Sequence, residues 1–476
     1  MLLLENNIYS ACTSILIGKK ASVDGSVMIG RNEDSKSAWP KHFIVHPQHT
    51  NKNEETVFKS NDSKFKLALP EMALKYTATP EWTTKFGLFE EDGFNEAGVA
   101  MSATESTYSN DRVLACDPLV KDGIGEEAMI TVVLPYVKTA REGVARLGQI
   151  IEAYGTCESN GILFGDKNEA WYMETAAGHQ WVAQRIPDDS YAVVANQMAI
   201  EKIDFDNPDD FMWAPHIQEF VASNHLSSSR TEFNFRNIFG TNNLMDSYYN
   251  LPRVWEGQRL LSPEKNQAEI TRLPFIQTSN QLLSVQSAQM VLSSHYAGTK
   301  YDLLEPSTKE FHHFRPISLA ATQESHILQL RQMDDPAIAD IHWLAMGVAA
   351  ESSYVPFYAG INDTHPDYKR GEATYSPDSA YWVFKHAGVL VDSHPKEFLD
   401  ELEKLQSELR IAFDQSIIET DKGGSTLSGI ELSDYLTKQG IKNADLALTK
   451  YRGLTADLIT KMTDLSPLKF QQDLML

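Results

Sequence analysis

Two short apolar runs near the start of the chain, CTSILIG from Cys12 to Gly18 and VMIGRNEDS from Val27 to Ser35, are separated only by the turn-rich segment KKASVDGS. Runs of this length around a Gly-containing loop predict a β-hairpin. Strands joined so tightly must pair antiparallel, which commits the opening of the chain to an antiparallel sheet. Further strand-like runs follow at 98–104, 161–166, 169–175, 179–186 and 191–197, each bounded by Gly, Asp or Pro.

Helical periodicity dominates elsewhere. Residues 126–140, with an internal Pro135, and 141–155, ending on Gly155 as a C-cap would, predict neighbouring helices. Residues 395–420 place apolar side chains three and four apart with charge between them, an amphipathic helix whose stripe is a packing face. The expectation is an α+β fold with mostly antiparallel sheets. No repeat, low-complexity tract or linker divides it, so one large catalytic domain over 12–394 is expected, with a helical extension over 395–476 packed upon it.

The 476 residues carry 42 Lys+Arg against 65 Asp+Glu, a formal net charge of −23. That balance opposes nucleic acid and anionic membranes as partners. No apolar stretch approaches the length of a membrane span, and Glu5, Asn6 and Asn7 interrupt the apolar start, so neither a membrane anchor nor a secretory signal is expected. Three scattered cysteines, Cys12, Cys116 and Cys157, suit a reducing compartment, and a cytoplasmic location is expected. Oligomerisation has no readable signal.

Cys12 by itself reads as a small buried hydrophobe. Its company changes the reading: the returning strand carries Gly30-Arg31-Asn32-Glu33-Asp34, and a hairpin brings Arg31 and Asp34 beside the thiol. A guanidinium there would favour a thiolate and lower its pKa. A plain surface Arg and Asp after a strand remains open at this point.

The segment CTSILIGKKASVDGSVMIGRNEDS resembles the start of bacterial cysteine dipeptidases of the dipeptidase A and D type, which carry a Cys-Thr, an Asp-Gly-Ser turn and an Arg-x-Glu-Asp. The likeness continues in order through LPYVKTAREGVARLG, the segment from Glu152 to Asp189, LSSHYAGTKYD and VPFYAGI. It implies membership of the N-terminal-nucleophile hydrolases and their four-layer αββα sandwich, and hence a dipeptidase acting on dipeptides with broad specificity. A more distant likeness to penicillin V acylases and bile salt hydrolases implies roles. By that likeness Asn95 in GFNEAGVAM and Asn196 in YAVVANQM are the oxyanion donors, and Arg253 in LPRVW, with Arg259 behind it, is the last catalytic arginine. The full catalytic set implied is Cys12, Arg31, Asp34, Asn95, Asn196 and Arg253, with no cofactor and no metal.

In such enzymes the free α-amine of the cysteine is the base for its own thiol, and an α-amine titrates near 8, suited to that work. A peptide-bonded nitrogen cannot serve, so residues 1–11 are expected to be a leader removed before Cys12. Eleven residues are more than the few usual in the family, and no methionine after Met1 offers a later start. Attack would give an acyl-enzyme thioester, with Arg31 steadying the sulfur and Asp34 orienting the amine. Glu33 for a substrate ammonium and Arg253 for a carboxylate are weighed equally with plain structural roles. Alternatives are an amide hydrolase of the acylase kind, or a catalytically silent scaffold. A papain-like arrangement of Cys157 with His179 or His295 is disfavoured for want of distinguishing spacing. A metal site of those histidines with Asp166 or Glu174 is weaker still, because no HExxH-like spacing occurs.

Overall fold

The computed structural model describes residues 12–52, 56–229, 232–265, 268, 271–304 and 314–468; the expected leader, 1–11, lies outside them. β1 (Thr13–Ile17) and β2 (Val27–Asp34) form the expected hairpin, with Ser14 opposite Arg31. The following strands are β3 (Asp92–Phe94), β4 (Ala100–Ser106), β5 (Asn160–Gly165), β6 (Ala170–Ala176), β7 (Gln180–Arg185) and β8 (Tyr191–Val194). β9 (Phe211–Trp213), β10 (Thr322–Leu330), β11 (Ile341–Met346) and β12 (Val355–Tyr358) complete them.

Among the described residues these strands make two six-stranded sheets, ordered β8-β1-β2-β10-β11-β12 and β9-β7-β6-β5-β4-β3. Every pairing within them is antiparallel. Short two-stranded ribbons lie between residues 44 and 78. The α+β class with antiparallel sheets is therefore the observed one.

Alternation along the hairpin decides which side chains meet which core. Leu16, Val27 and Ile29 share a buried cluster with Met101, Ile162, Phe164 and Trp171 of the second sheet. Ile15, Ile17 and Met28 face the other way, into a cluster with Phe384, Leu402, Leu436 and Tyr451. Cys12, Ser14 and Leu16 consequently share the face of β1 that looks toward the second sheet.

Helix α1 (Glu126–Val133) gives way to a 3₁₀ turn at Leu134–Tyr136, where Pro135 has no N–H to continue it. α2 (Ala140–Tyr154) starts at Thr139, whose hydroxyl accepts from Glu142 N, and stops at Gly155, whose φ of 73° favours glycine. It packs on β5, β6 and β7. α3 (Leu251–Leu261) packs on β8, and α4 (Val285–Leu292) on β1, β2 and β10. α5 (Ala380–Ser393) packs on β11, whereas α6 (Pro395–Gly424) and α7 (Gly429–Met462) contact β12. No helix among the described residues is long and apolar enough to cross a membrane.

β10 to β12 and α7 go beyond what the sequence pattern foretold. β10, TQESHILQL, is buried along its whole length between β2 and β11, so it has no solvent face and no clean alternation. Its polar side chains are tolerated because they are paired: His326 contacts Glu324 and Ser102, and Gln329 donates to Asp24.

The β2–β10 seam passes over Gly30, where an added Cβ would come 2.7 Å from the carbonyl oxygen of His326 and 3.1 Å from Ile327. Gly30→Ala is expected to cost about 1–3 kcal/mol through overpacking against backbone. The midpoint of urea unfolding, compared with wild type at equal m-value, checks it.

Candidate active site

Cys12 stands immediately before β1 and is buried. Its Sγ accepts from Arg31 Nη1 at 3.1 Å and lies 3.3 Å from Glu33 Oε2. Arg31 and Glu33 sit two apart on β2, so both project to the same face as the thiol.

Arg31 is fully buried and every nitrogen of its guanidinium is engaged. Nε donates to Ser102 Oγ at 2.9 Å, Nη1 also to Thr104 O at 2.8 Å and to Glu33, and Nη2 to Glu91 Oε2 at 2.8 Å and Ala103 O at 2.9 Å. Lys41 Nζ holds the other oxygen of Glu91 at 2.6 Å. Burial alone would lower the affinity of Arg31 for its proton, but Cys12, Glu33 and Glu91 raise it well above the ordinary value. It is a permanent cation.

The thiol behaves otherwise than the sequence suggested. Burial, then Glu33, push the Cys12 pKa well above its usual value, and Arg31 pulls it down by less. The expected direction for Arg31 is right and its dominance is not. The balance favours the protonated thiol over the thiolate.

On the other side of Cys12, Arg253 from α3 reaches the cysteine's backbone. Its Nη1 donates to the carbonyl of Cys12 and, at 2.9 Å, to Thr13 Oγ1. Nη2 donates to Asn196 Oδ1 at 2.7 Å and Asn250 Oδ1 at 2.9 Å, and Nε to Tyr249 O at 2.7 Å. All five N–H donors are accounted for, so of the two roles weighed for Arg253 these bonds favour the structural one, a clamp on the start of β1. Burial, followed by Arg315, draws it down to about 10, which still leaves it charged at neutral pH. Arg259 is instead held by Glu256, one turn back on the same helix.

Asn196, just past β8, also donates from Nδ2 to Ser106 O at 3.0 Å, which ties it to the end of β4. Asp34 accepts from Arg315 Nη2 at 2.6 Å and from Thr322 Oγ1. Burial raises its pKa despite Arg315.

Asn95 is the sequence-based candidate that the fold keeps apart. It sits in the β3–β4 turn, where Oδ1 accepts from Ala97 N and Val99 N at 3.0 and 3.1 Å, while Nδ2 donates to Leu134 O and Val137 O at 2.7 and 2.8 Å. Both amide protons are committed to backbone, in the turn that precedes β4, whereas Arg31 bonds the middle of that strand. The expectation of Asn95 as an oxyanion donor is corrected to a turn-building role, because an amide with no free N–H has nothing to offer an oxyanion.

Ser102, Glu91, Lys41, Arg315 and Glu105 belong to the neighbourhood and went unread in the sequence. Glu105 is buried on β4 and accepts from Ser14 Oγ at 2.5 Å through Oε2; its Oε1 has no hydrogen-bond partner among the described residues. A charged residue in the small apolar strand AMSATES was the available signal. Glu91 and Lys41 had none, since they meet across 50 residues with no spacing that marks the pair.

Among the described residues two buried groups bring ligand-type atoms within 4.8 Å: Asp92, Glu324 and His326, and Glu33, Glu91 and Glu126. In the second, Arg31 and Lys41 already supply positive charge. In the first, both nitrogens of His326 are engaged, with Glu324 at 3.0 Å and Ser102 at 2.9 Å, and burial lowers its pKa to about 4. Both groups read as charge networks supporting Arg31. His179 pairs with Asp117 and His295 with Asp302, and burial pushes the Cys157 thiol up to about 12.

Residues 11–408 match the family model for peptidase family C69. A probable dipeptidase of Latilactobacillus sakei is 46% identical over 467 residues, covering 98% of each chain. Probable dipeptidase B of Lactococcus lactis subsp. lactis is 41% identical, covering 93% of this chain and 94% of its own. Dipeptidase A of Lactobacillus helveticus is 36% identical, covering 95% and 96%.

Burial raises Glu105 from the carboxylate range to about 7, against the lowering by Arg253 and Ser14. The folded state therefore holds a proton that the unfolded chain releases near pH 4.5. This stabilisation is complete below the unfolded pKa and is lost as pH rises through about 7. At about 1.4 kcal/mol per pKa unit, the stability of wild type relative to Glu105→Gln is expected to fall by roughly 3 kcal/mol between pH 5 and pH 8. Urea unfolding of both proteins across that range checks it.

Proposed function

The chain belongs to peptidase family C69, and from that premise and the geometry around Cys12 we propose that it is a cysteine-type dipeptidase whose nucleophile is the Cys12 thiol. The observation that carries the reading is the double clamp on Cys12: its sulfur between Arg31 and Glu33, its carbonyl on Arg253. The relatives of matching length named dipeptidase support the substrate class.

A protonated, buried thiol needs a base at the moment of attack. In this proposal the base is the α-amine of Cys12, exposed by removal of residues 1–11. The amine takes the thiol proton as Sγ attacks the scissile carbonyl, and later gives it to the departing amine product. Water then hydrolyses the thioester, with the same amine carrying the proton. Arg31, already bonded to Sγ, steadies the developing negative charge on sulfur.

Asn196 has one N–H on Ser106 and a second left for the tetrahedral oxyanion; a single donor of this kind is worth about 10²–10³ in rate. Each Asp34 oxygen keeps a lone pair beyond Thr322 and Arg315, and one of these would orient the Cys12 ammonium.

The four-layer αββα arrangement belongs to the same proposal, with residues 12–394 as the peptidase domain and 395–476 as its extension. It is supported by the two facing sheets and by helices packed on each. The cytoplasmic location is supported by three cysteines that are all free thiols.

Two measurements on one preparation test the mechanism. Intact-mass analysis should give an N-terminus at Cys12 for wild type. Cys12→Ala should retain folding while losing at least about 10³-fold in dipeptide turnover. Retention of residues 1–11 in an active enzyme would sink the amine-base mechanism, and turnover of penicillin V or glycine conjugates in preference to dipeptides would sink the substrate class.

A further inference from the structure

A dipeptidase must recognise the free amino terminus of its substrate close to the bond it cuts. The ammonium nitrogen is two bonds from the scissile carbonyl carbon, about 2.5 Å away. With Sγ poised about 3–3.5 Å from that carbon, the partner of the ammonium has to lie beside Cys12 itself.

Glu33, Glu105 and Asp34 are the carboxylates whose charge acts most on the Cys12 thiol. Glu33 is paired with Arg31, and Asp34 with Arg315. Glu91, next in the network, already holds both Arg31 and Lys41. Glu105 differs. Among the described residues it has no ion pair; it is wholly buried, one oxygen takes only a neutral hydroxyl from Ser14, and the other has no hydrogen-bond partner among them. Ser14 is two residues beyond Cys12 on the same face of the strand, about 7 Å along it, so the Ser14–Glu105 bond marks the space beside the nucleophile.

We propose that Glu105 is the substrate-binding carboxylate that receives the α-ammonium of the dipeptide, with Ser14 holding it in place. The inference rests on the dipeptidase reading and adds to it the group that reads the amino terminus. A buried carboxylate without a counter-ion is costly, and the arriving ammonium supplies the missing charge at the point where it positions the scissile bond. Burial accordingly keeps Glu105 partly protonated near pH 7 until such a partner arrives. A substrate with an acetylated or absent amine leaves the carboxyl unpaired and binds poorly, which selects for free amino termini.

The test compares kcat/KM on a dipeptide and on its des-amino analogue, in which hydrogen replaces the α-amine, for the wild-type full chain and for Glu105→Gln. Wild type is expected to prefer the amine-bearing substrate by about 10² or more, and Glu105→Gln to collapse that preference to within a few-fold, chiefly through KM. An equal loss on both substrates would overturn the proposal and make Glu105 an oxyanion donor or a structural group. Wild type alone also decides: if it cleaves the des-amino analogue as well as the dipeptide, no residue reads the ammonium, whether or not the variant folds. If wild type cleaves acylated amines but no dipeptide, the dipeptidase reading falls and this proposal with it; turnover of both substrate types with no amine preference sinks the proposal alone.

Discussion

Everything around Cys12 depends on one buried guanidinium. Arg31 has no contact with solvent and is bonded to both sheets: to Glu33 on its own strand, and to Ser102, Ala103 and Thr104 on β4. A charge in that position is tolerable only when all its donors are met, and removing its partners would leave an unpaired ion in a low-dielectric interior. The arrangement therefore fixes the spacing and alignment of the two sheets where they flank the thiol. Fixing them there also places Glu105 across from Ser14.

The second constraint comes from the opposite direction. Arg253 binds the carbonyl of Cys12, the hydroxyl of Thr13 and the side chain of Asn196, joining α3, β1 and the end of β8. Cys12 precedes the first residue of its strand, a place where a chain would ordinarily fray. Arg253 supplies the hydrogen bonds that a strand terminus lacks, and so Cys12 is held from behind while its thiol is held in front. Neither arginine has donors left over, which makes both of them positioning groups as much as electrostatic ones.

The charge balance across the thiol runs against a preformed thiolate. Glu33 and burial favour the protonated sulfur, and Arg31 favours the thiolate. An enzyme relying on a preformed thiolate would place the cation without the carboxylate. Here the two stand together, in keeping with a nucleophile that gives up its proton only when a substrate and a base are both present.

The hairpin from Thr13 to Asp34 was legible because its period and its turn are local, and it sufficed to predict Arg31 beside Cys12. The strands from Ala100 to Val194 and the helix beginning at Pro395 were legible for the same reason. Asn95 was misassigned because Asn-Glu-x-Gly fits an oxyanion donor and a turn equally well as a string of letters. Only the fold shows both of its amide protons on Leu134 and Val137. Lys41, Glu91 and Arg315 carried no pattern to read, since each meets its partners across tens to hundreds of residues, and the one trace of Glu105 was a lone charge in the strand AMSATES. The sequence alone settled the neighbourhood of Cys12 along one hairpin, because antiparallel pairing across a short turn is a local property. What surrounds that hairpin was decided by tertiary structure alone, because ion pairs between sheets depend on distance in space and leave no periodic trace along the chain.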